Sequence, residues 1–314
     1  MFRFFLPCVL AAAAFAGEPL YQLWGQVAPP GRASVSLYGA TNPFTVTTLS
    51  DNAGRFRFKK LQPGTYTVAV LIPARGEARV TAEVGPGTAD SRRRVRLSLD
   101  LKDADFQTYD TWRREHSITA KELAIPDKAW REYEEAQKDL ARRDVDSAVK
   151  RLERAVEMAP QFSIAWNNLG TIAYQTRKYL RAEECFRTAL AADPAAYEPL
   201  VNLGGVLLDL RKLDEAMSCN LHAMLTRPND ALANAQLGLT YFAVGNFDLA
   251  QKYLERAVEI DPAHFSHPQL VLAEIHLRRG EKRAAAGNLE DFLKHHPDYP
   301  QAEKMRETIA KLRQ

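Results

Sequence analysis

A leucine–glycine pair returns every thirty-four residues in this chain, at Leu169–Gly170, Leu203–Gly204 and Leu237–Gly238. Pro160, Pro194, Pro228 and Pro262 keep the same interval, and Pro297 follows one residue late. Twelve residues before each proline stands an alanine: Ala148, Ala182, Ala216, Ala250 and Ala285. Five before the first four stands another: Ala155, Ala189, Ala223 and Ala257. A fixed period of this length means one supersecondary unit stacked on copies of itself. Glycine on one helix and alanines on the next let two antiparallel helices approach closely. The proline then ends the second helix and aims the chain at the following pair.

The pattern resembles the tetratricopeptide repeat over residues 127–297. Repeat two, with Trp166, Leu169–Gly170, Ala182, Phe186, Ala189 and Pro194, fits almost every position. Repeat one has Glu135–Ala136 in place of Leu–Gly; repeat five has Leu272–Ala273, and Phe292 where alanine is usual. The resemblance implies five helix pairs, at 127–160, 161–194, 195–228, 229–262 and 263–297, with 298–314 as a capping helix for the exposed end. One position breaks the pattern. Eight residues before the closing proline stand Leu152, Phe186, Leu254 and Leu289, but repeat three has Asn220. Unless Asn220 finds a partner, Asn220→Leu is expected to stabilise the solenoid.

Residues 20–101 follow a different period. In RFRFK, TYTVAV and RVRLSL, apolar and polar residues alternate: Phe56 and Phe58, then Tyr66, Val68 and Val70, then Val95, Leu97 and Leu99. Period-two alternation marks strands with one buried face. Turns stand between them at Pro29–Pro30–Gly31, at 51–54, at Pro63–Gly64 and at Gly85–Pro86–Gly87. About seven strands are expected, in a small antiparallel β-sandwich. LWGQV, SDNAGRFRF and LQPGTYTVAV in that order resemble the carboxypeptidase regulatory-like domain. That family implies a transthyretin-like or starch-binding-like sandwich, an accessory module without catalytic residues. The fold class is therefore multidomain α and β: a small antiparallel sandwich at 17–101, a connector at 102–126 carrying Phe106, Tyr109 and Trp112, then an all-α solenoid.

Ahead of the strands, Arg3 precedes an apolar run from Phe4 to Phe15 that closes on Ala14–Phe15–Ala16. This reads as a signal peptide at 1–16, cleaved after Ala16, or as an uncleaved anchor. The run is too short to span a bilayer, which takes about 20 apolar residues. The mature chain is expected to be periplasmic or secreted, which argues against nucleic acid as a partner. A net charge of +3 implies no polyanionic partner for the chain as a whole. Local cations at Arg55, Arg57, Lys59, Lys60 and Arg92–Arg94 read either as a solvated strand face or as a surface for an anionic partner.

Nothing in the sequence supports catalysis or a cofactor. It holds no nucleophile elbow, phosphate-binding loop or dinucleotide fingerprint. His264 and His267 lack an acidic partner at ligand spacing and read as surface histidines, not a metal site. Cys185 and Cys219 hold equivalent places in successive repeats, too far apart to pair, and read as free thiols. What remains is binding.

Each first helix carries a stripe that its own repeat does not use. The stripe holds Trp130, Tyr133, Gln137 and Leu140 in repeat one, and Ile164, Asn167, Thr171 and Tyr174 in repeat two. It continues with Glu198, Val201, Gly205 and Leu208, then Leu232, Ala235, Leu239 and Phe242. In proteins with such repeats it lines a concave groove for peptides or helices. Its apolar character predicts an apolar segment of a protein or peptide as ligand. Neighbouring repeats, or Phe106 and Trp112, are the alternative cover. The expected function is an exported, non-catalytic protein-interaction scaffold. The alternative is a protein that docks on envelope glycan or a surface through its β-module, with a structural solenoid.

Overall fold

The computed structural model describes residues 19–72, 75–102, 106 and 124–314; the leader at 1–16, Tyr109 and Trp112 lie outside the described residues. Seven strands come first: β1 (Tyr21–Ala28), β2 (Ser34–Gly39), β3 (Thr45–Leu49), β4 (Arg55–Leu61), β5 (Gly64–Ile72), β6 (Gly76–Val84) and β7 (Arg94–Asp100). The alternation works as the sequence implies, with Phe56 and Phe58 buried while Arg55, Arg57 and Lys59 face out. Two sheets form, ordered β4-β1-β7 and β3-β2-β5-β6. Their inner faces share one core around Leu23, Val35, Leu37, Phe58, Leu61 and Val68.

The sandwich is mostly antiparallel, as expected, with one parallel pair. β1 and β7 run parallel, in register from Gln22 opposite Arg94 to Ala28 opposite Asp100. The whole domain separates these two strands, which supplies the long crossover that a parallel pair requires and a hairpin cannot give. Phe106 joins this same core, 7% exposed, with the Arg75 guanidinium 4.3 Å above its ring. It therefore completes the sandwich and is not a cover for the helical stripe.

Eleven helices follow among the described residues. They pair as α1 (Asp127–Ala141) with α2 (Val145–Met158), α3 (Ser163–Gln175) with α4 (Tyr179–Ala192), and α5 (Tyr197–Asp209) with α6 (Leu213–Thr226). Then come α7 (Ala231–Ala243) with α8 (Phe247–Ile260), α9 (Pro268–Arg278) with α10 (Lys282–His295), and α11 (Ala302–Leu312) at the end. Each second helix stops one residue short of its proline. Ala159, Asp193, Arg227, Asp261 and His296 all have ψ between 63° and 96°, because the proline ring forces its predecessor out of the helical region. The turn inside each pair uses a left-handed residue at Arg143, Arg177, Arg211, Gly245 and Gly280.

The recurrent small residues close the helix contacts. Ala148, Ala182, Ala216, Ala250 and Ala285 are fully buried. A Cβ on Gly170 would stand 2.5 Å from the Phe186 ring, and one on Gly238 would stand 2.7 Å from Leu254. The helices meet on bare backbone, which is why glycine recurs there.

At Gly204 the neighbour is Asn220, fully buried, with Oδ1 only 1.9 Å from where a Cβ would lie. Asn220 does have a partner: Nδ2 donates to Thr240 Oγ1 at 2.9 Å, and that hydroxyl donates to the Gln236 carbonyl at 2.7 Å. Its Oδ1 has none among the described residues. In earlier repeats the equivalent positions are apolar and share a core, Leu152 with Ile172 and Phe186 with Val206. The single change Asn220→Leu would sacrifice the Thr240 bond, so the pair must change together. Replacing both ends of a buried hydrogen bond by apolar groups is close to neutral or stabilising. Asn220→Leu with Thr240→Val is expected to raise stability by about 1–3 kcal/mol, the usual cost of an unpaired buried amide. Urea denaturation of both singles and the double checks it. A double variant weaker than the native chain would show that the bond outweighs the orphaned oxygen.

Candidate partner-binding groove

The stripe residues knit successive first helices together. Trp130 and Tyr133 pack on Phe162, at ring separations of 4.5 and 5.3 Å, and Tyr133 accepts a bond from Asn168 at 3.4 Å. Asn202 donates to the Asn167 side chain at 3.0 Å, Thr171 bonds the Asn167 carbonyl, and Tyr174 donates to Asp209 at 2.8 Å. Leu140 and Val201 are buried, whereas Leu208, Leu232, Leu239 and Phe242 are half-buried. The Arg278 guanidinium lies 5.4 Å from the Phe242 ring. Only Ile164 and Tyr174, 41% and 38% exposed, stand well open to water. Neighbouring repeats thus use part of the stripe.

The β-sandwich faces part of what remains, at Tyr133 and Glu198. From the outward face and free edge of the four-stranded sheet, contacts run to all five repeats. Arg143, in the α1–α2 turn, donates to the Tyr66 hydroxyl at 3.2 Å and sits 4.6 Å from the Phe44 ring. Gln175, ending α3, donates to the Gly39 carbonyl at 3.0 Å. Arg79 reaches Glu198 at 3.1 Å, at the start of α5. Asp261, after α8, accepts from Thr81 twice, from the amide at 3.0 Å and the hydroxyl at 2.5 Å. His296 meets Glu83 at 3.0 Å, and Asp298 accepts from the Gly87 amide at 2.8 Å. These partners stand between 77 and 213 residues apart, so no local pattern announces them. Only the polar outer face of β6, with Glu77, Arg79, Thr81 and Glu83 alternating against buried Ala78 and Ala82, hinted at a surface with a task.

Burial sets the titration of the site. It pushes the Tyr133 hydroxyl up to about 12, with Tyr38 of the sandwich adding to the effect. The Asp261 carboxyl is also raised by burial, against the pull of its bonds from Thr81.

The histidines overturn one expectation. His264 is 4% exposed, not on the surface, and so is His296. The His267 ring lies 4.7 Å from the ring of His296 and 5.1 Å from that of Phe292. The sandwich edge and the α10 terminus meet here and close the site to water. Burial lowers His264 to about 3 and His267 to about 4. Among the described residues no group of three or more His, Cys, Asp or Glu is arranged to hold a metal ion. Cys185 and Cys219 are both free, and no described helix is long and apolar enough to cross a membrane.

Comparison with known proteins agrees with the helical half. Sequence profiles of the tetratricopeptide repeat match residues 133–184, 171–218 and 231–264. The BBSome complex member BBS4 of Xenopus tropicalis is 25% identical over 147 residues, 47% of this chain and 28% of that protein. The human cell division cycle protein 16 homolog is 29% identical over 114 residues, 33% of this chain and 18% of its own. This chain therefore spans less than a third of either relative's length. The crystal structure of PilW, a widely conserved type IV pilus biogenesis factor, superposes with a TM-score of 0.52 at 24% identity, covering 59% of this chain and 85% of that one. The helices are a solenoid of tetratricopeptide repeats, a class that mediates protein–protein interaction.

Proposed function

We propose that the chain is an exported, non-catalytic scaffold whose groove receives an apolar segment of a partner protein. In this reading its sandwich, of the carboxypeptidase regulatory-like kind, is a resident occupant of the same groove. The supporting observation is the chemistry of the contact between the halves. Most of the pairs that join them are hydrogen bonds, with an ion pair at Arg79–Glu198 and the Arg143 guanidinium at the Phe44 ring. Domain contacts of that polar kind ordinarily allow relative motion, unlike large apolar ones. Opening would expose the apolar stripe residues and close again over them.

A photo-crosslinking side chain at Ile164, in the cell that makes the protein, tests the reading. One defined polypeptide is expected on the crosslink, and sequencing of the exported chain is expected to begin at Gly17. Tyr174→Ala with Phe242→Ala should abolish that crosslink while helical circular dichroism stays unchanged. Tyr174→Phe serves as control, because it keeps the ring packed 5.6 Å from Tyr179 and drops the Asp209 bond. A crosslink that persists in the double variant removes the groove from consideration.

A further inference from the structure

Where the sandwich meets the α1–α2 turn, a cavity of about 600 Å³ opens between strands β3 and β4. From β4 come Arg57, Lys59 and Lys60; from the solenoid come Arg142 and Arg143. No carboxylate lines it. Among the described residues, exposed Arg142 has one acidic neighbour, the buried Asp139 at 3.6 Å, and the other four cations have no carboxylate partner. Five positive charges are thus concentrated in a chain whose net charge is only +3. Phe44, Val46 and Phe58 form an apolar floor, and Thr47, Thr48 and Gln62 supply neutral hydrogen-bonding groups. The volume lies within the range of small-molecule sites, roughly 300–1,000 Å³.

The backbone of β4 contributes directly. Opposite β1 the register slips: Leu23 faces Phe58 and Tyr21 faces Leu61, so two residues on β4 stand against one. The extra residue makes a bulge in which Lys60 takes φ +58°, and Lys59 and Lys60 both face outward. Regular alternation would have sent one of the two lysines into the core. A bulge re-aims side chains in this way, often beside functional sites. It also interrupts the free edge of β4, so an acidic peptide adding there as a strand would lose its hydrogen-bond ladder at the point of highest charge.

We propose that this junction binds a short acidic oligosaccharide. Its carboxylate or phosphate groups would meet the cations of both domains, its hydroxyls Thr47, Thr48 and Gln62, and its ring faces the apolar floor. The solenoid supplies two of the five charges, so the site exists only while the halves are docked. It is independent of the groove, which lies along the first-helix stripe.

Isothermal titration of the full chain with trigalacturonate tests the assignment, with maltotriose, inorganic phosphate and pentaglutamate as companion probes. Trigalacturonate is expected to bind with an affinity that falls as salt rises. Lys59→Glu and Arg142→Glu should each weaken it about tenfold or more, a loss typical of charged contacts in a binding site. Arg92→Glu, an exposed cation on the β6–β7 turn that does not line the cavity, should leave it unchanged. Thermal melts matching the native chain confirm that the variants fold. Several results would overturn the proposal: no trigalacturonate binding at millimolar concentration, or maltotriose or phosphate binding equally well. Pentaglutamate binding as tightly would assign the site to acidic peptide instead, and an equal loss in Arg92→Glu would reduce it to general surface charge.

Discussion

Taking the chain from pH 7 to pH 4 is expected to lower its unfolding midpoint steeply, through His264 and His267. In the folded chain burial holds them neutral down to about pH 3 and 4, and the neighbouring His296 lowers both further. In the unfolded chain each should take up its proton near pH 6.5. Between those limits the unfolded state binds more protons, so stability falls as the pH falls. Above pH 6.5 the contribution is fully present; below about pH 3 it has been lost. One pKa unit corresponds to about 1.4 kcal/mol, so the two groups together should cost several kcal/mol across the window. The charged groups around them are His296, Glu83 on β6, which acts on His267, and Asp261 after α8, which meets the cluster through His296. Asp261 works the other way: burial raises its carboxyl, so it protonates earlier in the folded chain and favours that state near pH 4. The steepest loss should therefore fall between pH 6.5 and 5. Thermal melts at pH 7.5, 6.5, 5.5 and 4.5 measure it, and His264→Asn should flatten the curve. A native midpoint that is level from pH 7 to pH 5 contradicts the assignment.

The local patterns of this fold were open to reading, and the pairings between distant segments were hidden. Gly170 opposite Phe186 and Gly238 opposite Leu254 are contacts within one repeat, printed several times in the sequence at a fixed interval. The strands were as legible, because Phe56, Phe58, Tyr66 and Val68 alternate with polar neighbours over short stretches. The parallel pairing of β1 with β7 was not, since it joins the first and last strands of the domain and no turn residue records it. In the sequence the stripe reads as a groove for a partner, with neighbouring repeats or the connector as alternative cover; neighbouring repeats do use part of it, and Phe106 does not. Part of it faces the sandwich at Tyr38 and Arg79, while Thr81, Glu83 and Gly87, residues ordinary for a strand and turn, meet Asp261, His296 and Asp298 at the ends of later repeats. His264 shows the same limit. Its burial depends on β6 and α10 converging from opposite ends of the sequence, and spacing within the repeat carries no trace of that.

Asp261→Ala is expected to release the sandwich from the groove more completely than any other single substitution. The carboxylate is 5% exposed and accepts both the amide and the hydroxyl of Thr81. β6 is the outer strand of its sheet, so the Thr81 amide reaches this carboxylate in place of another strand. Removing it leaves a buried N–H and a buried hydroxyl without an acceptor, about 1–3 kcal/mol for each. Exposed ion pairs such as Arg79–Glu198 contribute typically under 1 kcal/mol and cannot make up the difference. The sandwich should therefore separate from the helices while both halves stay folded. X-ray scattering should report a larger radius of gyration, amide exchange at Thr81 should accelerate, and helical circular dichroism should hold. Asp261→Asn, which keeps one acceptor oxygen, should fall between the native chain and Asp261→Ala. The acidic oligosaccharide site should weaken in the released chain, because Arg142 and Arg143 leave it, whereas the crosslink from Ile164 should strengthen as the stripe opens. If Thr81 stays protected and the radius of gyration does not change, the remaining contacts hold the sandwich permanently. The groove is then an internal surface, and a partner has to bind elsewhere on the solenoid.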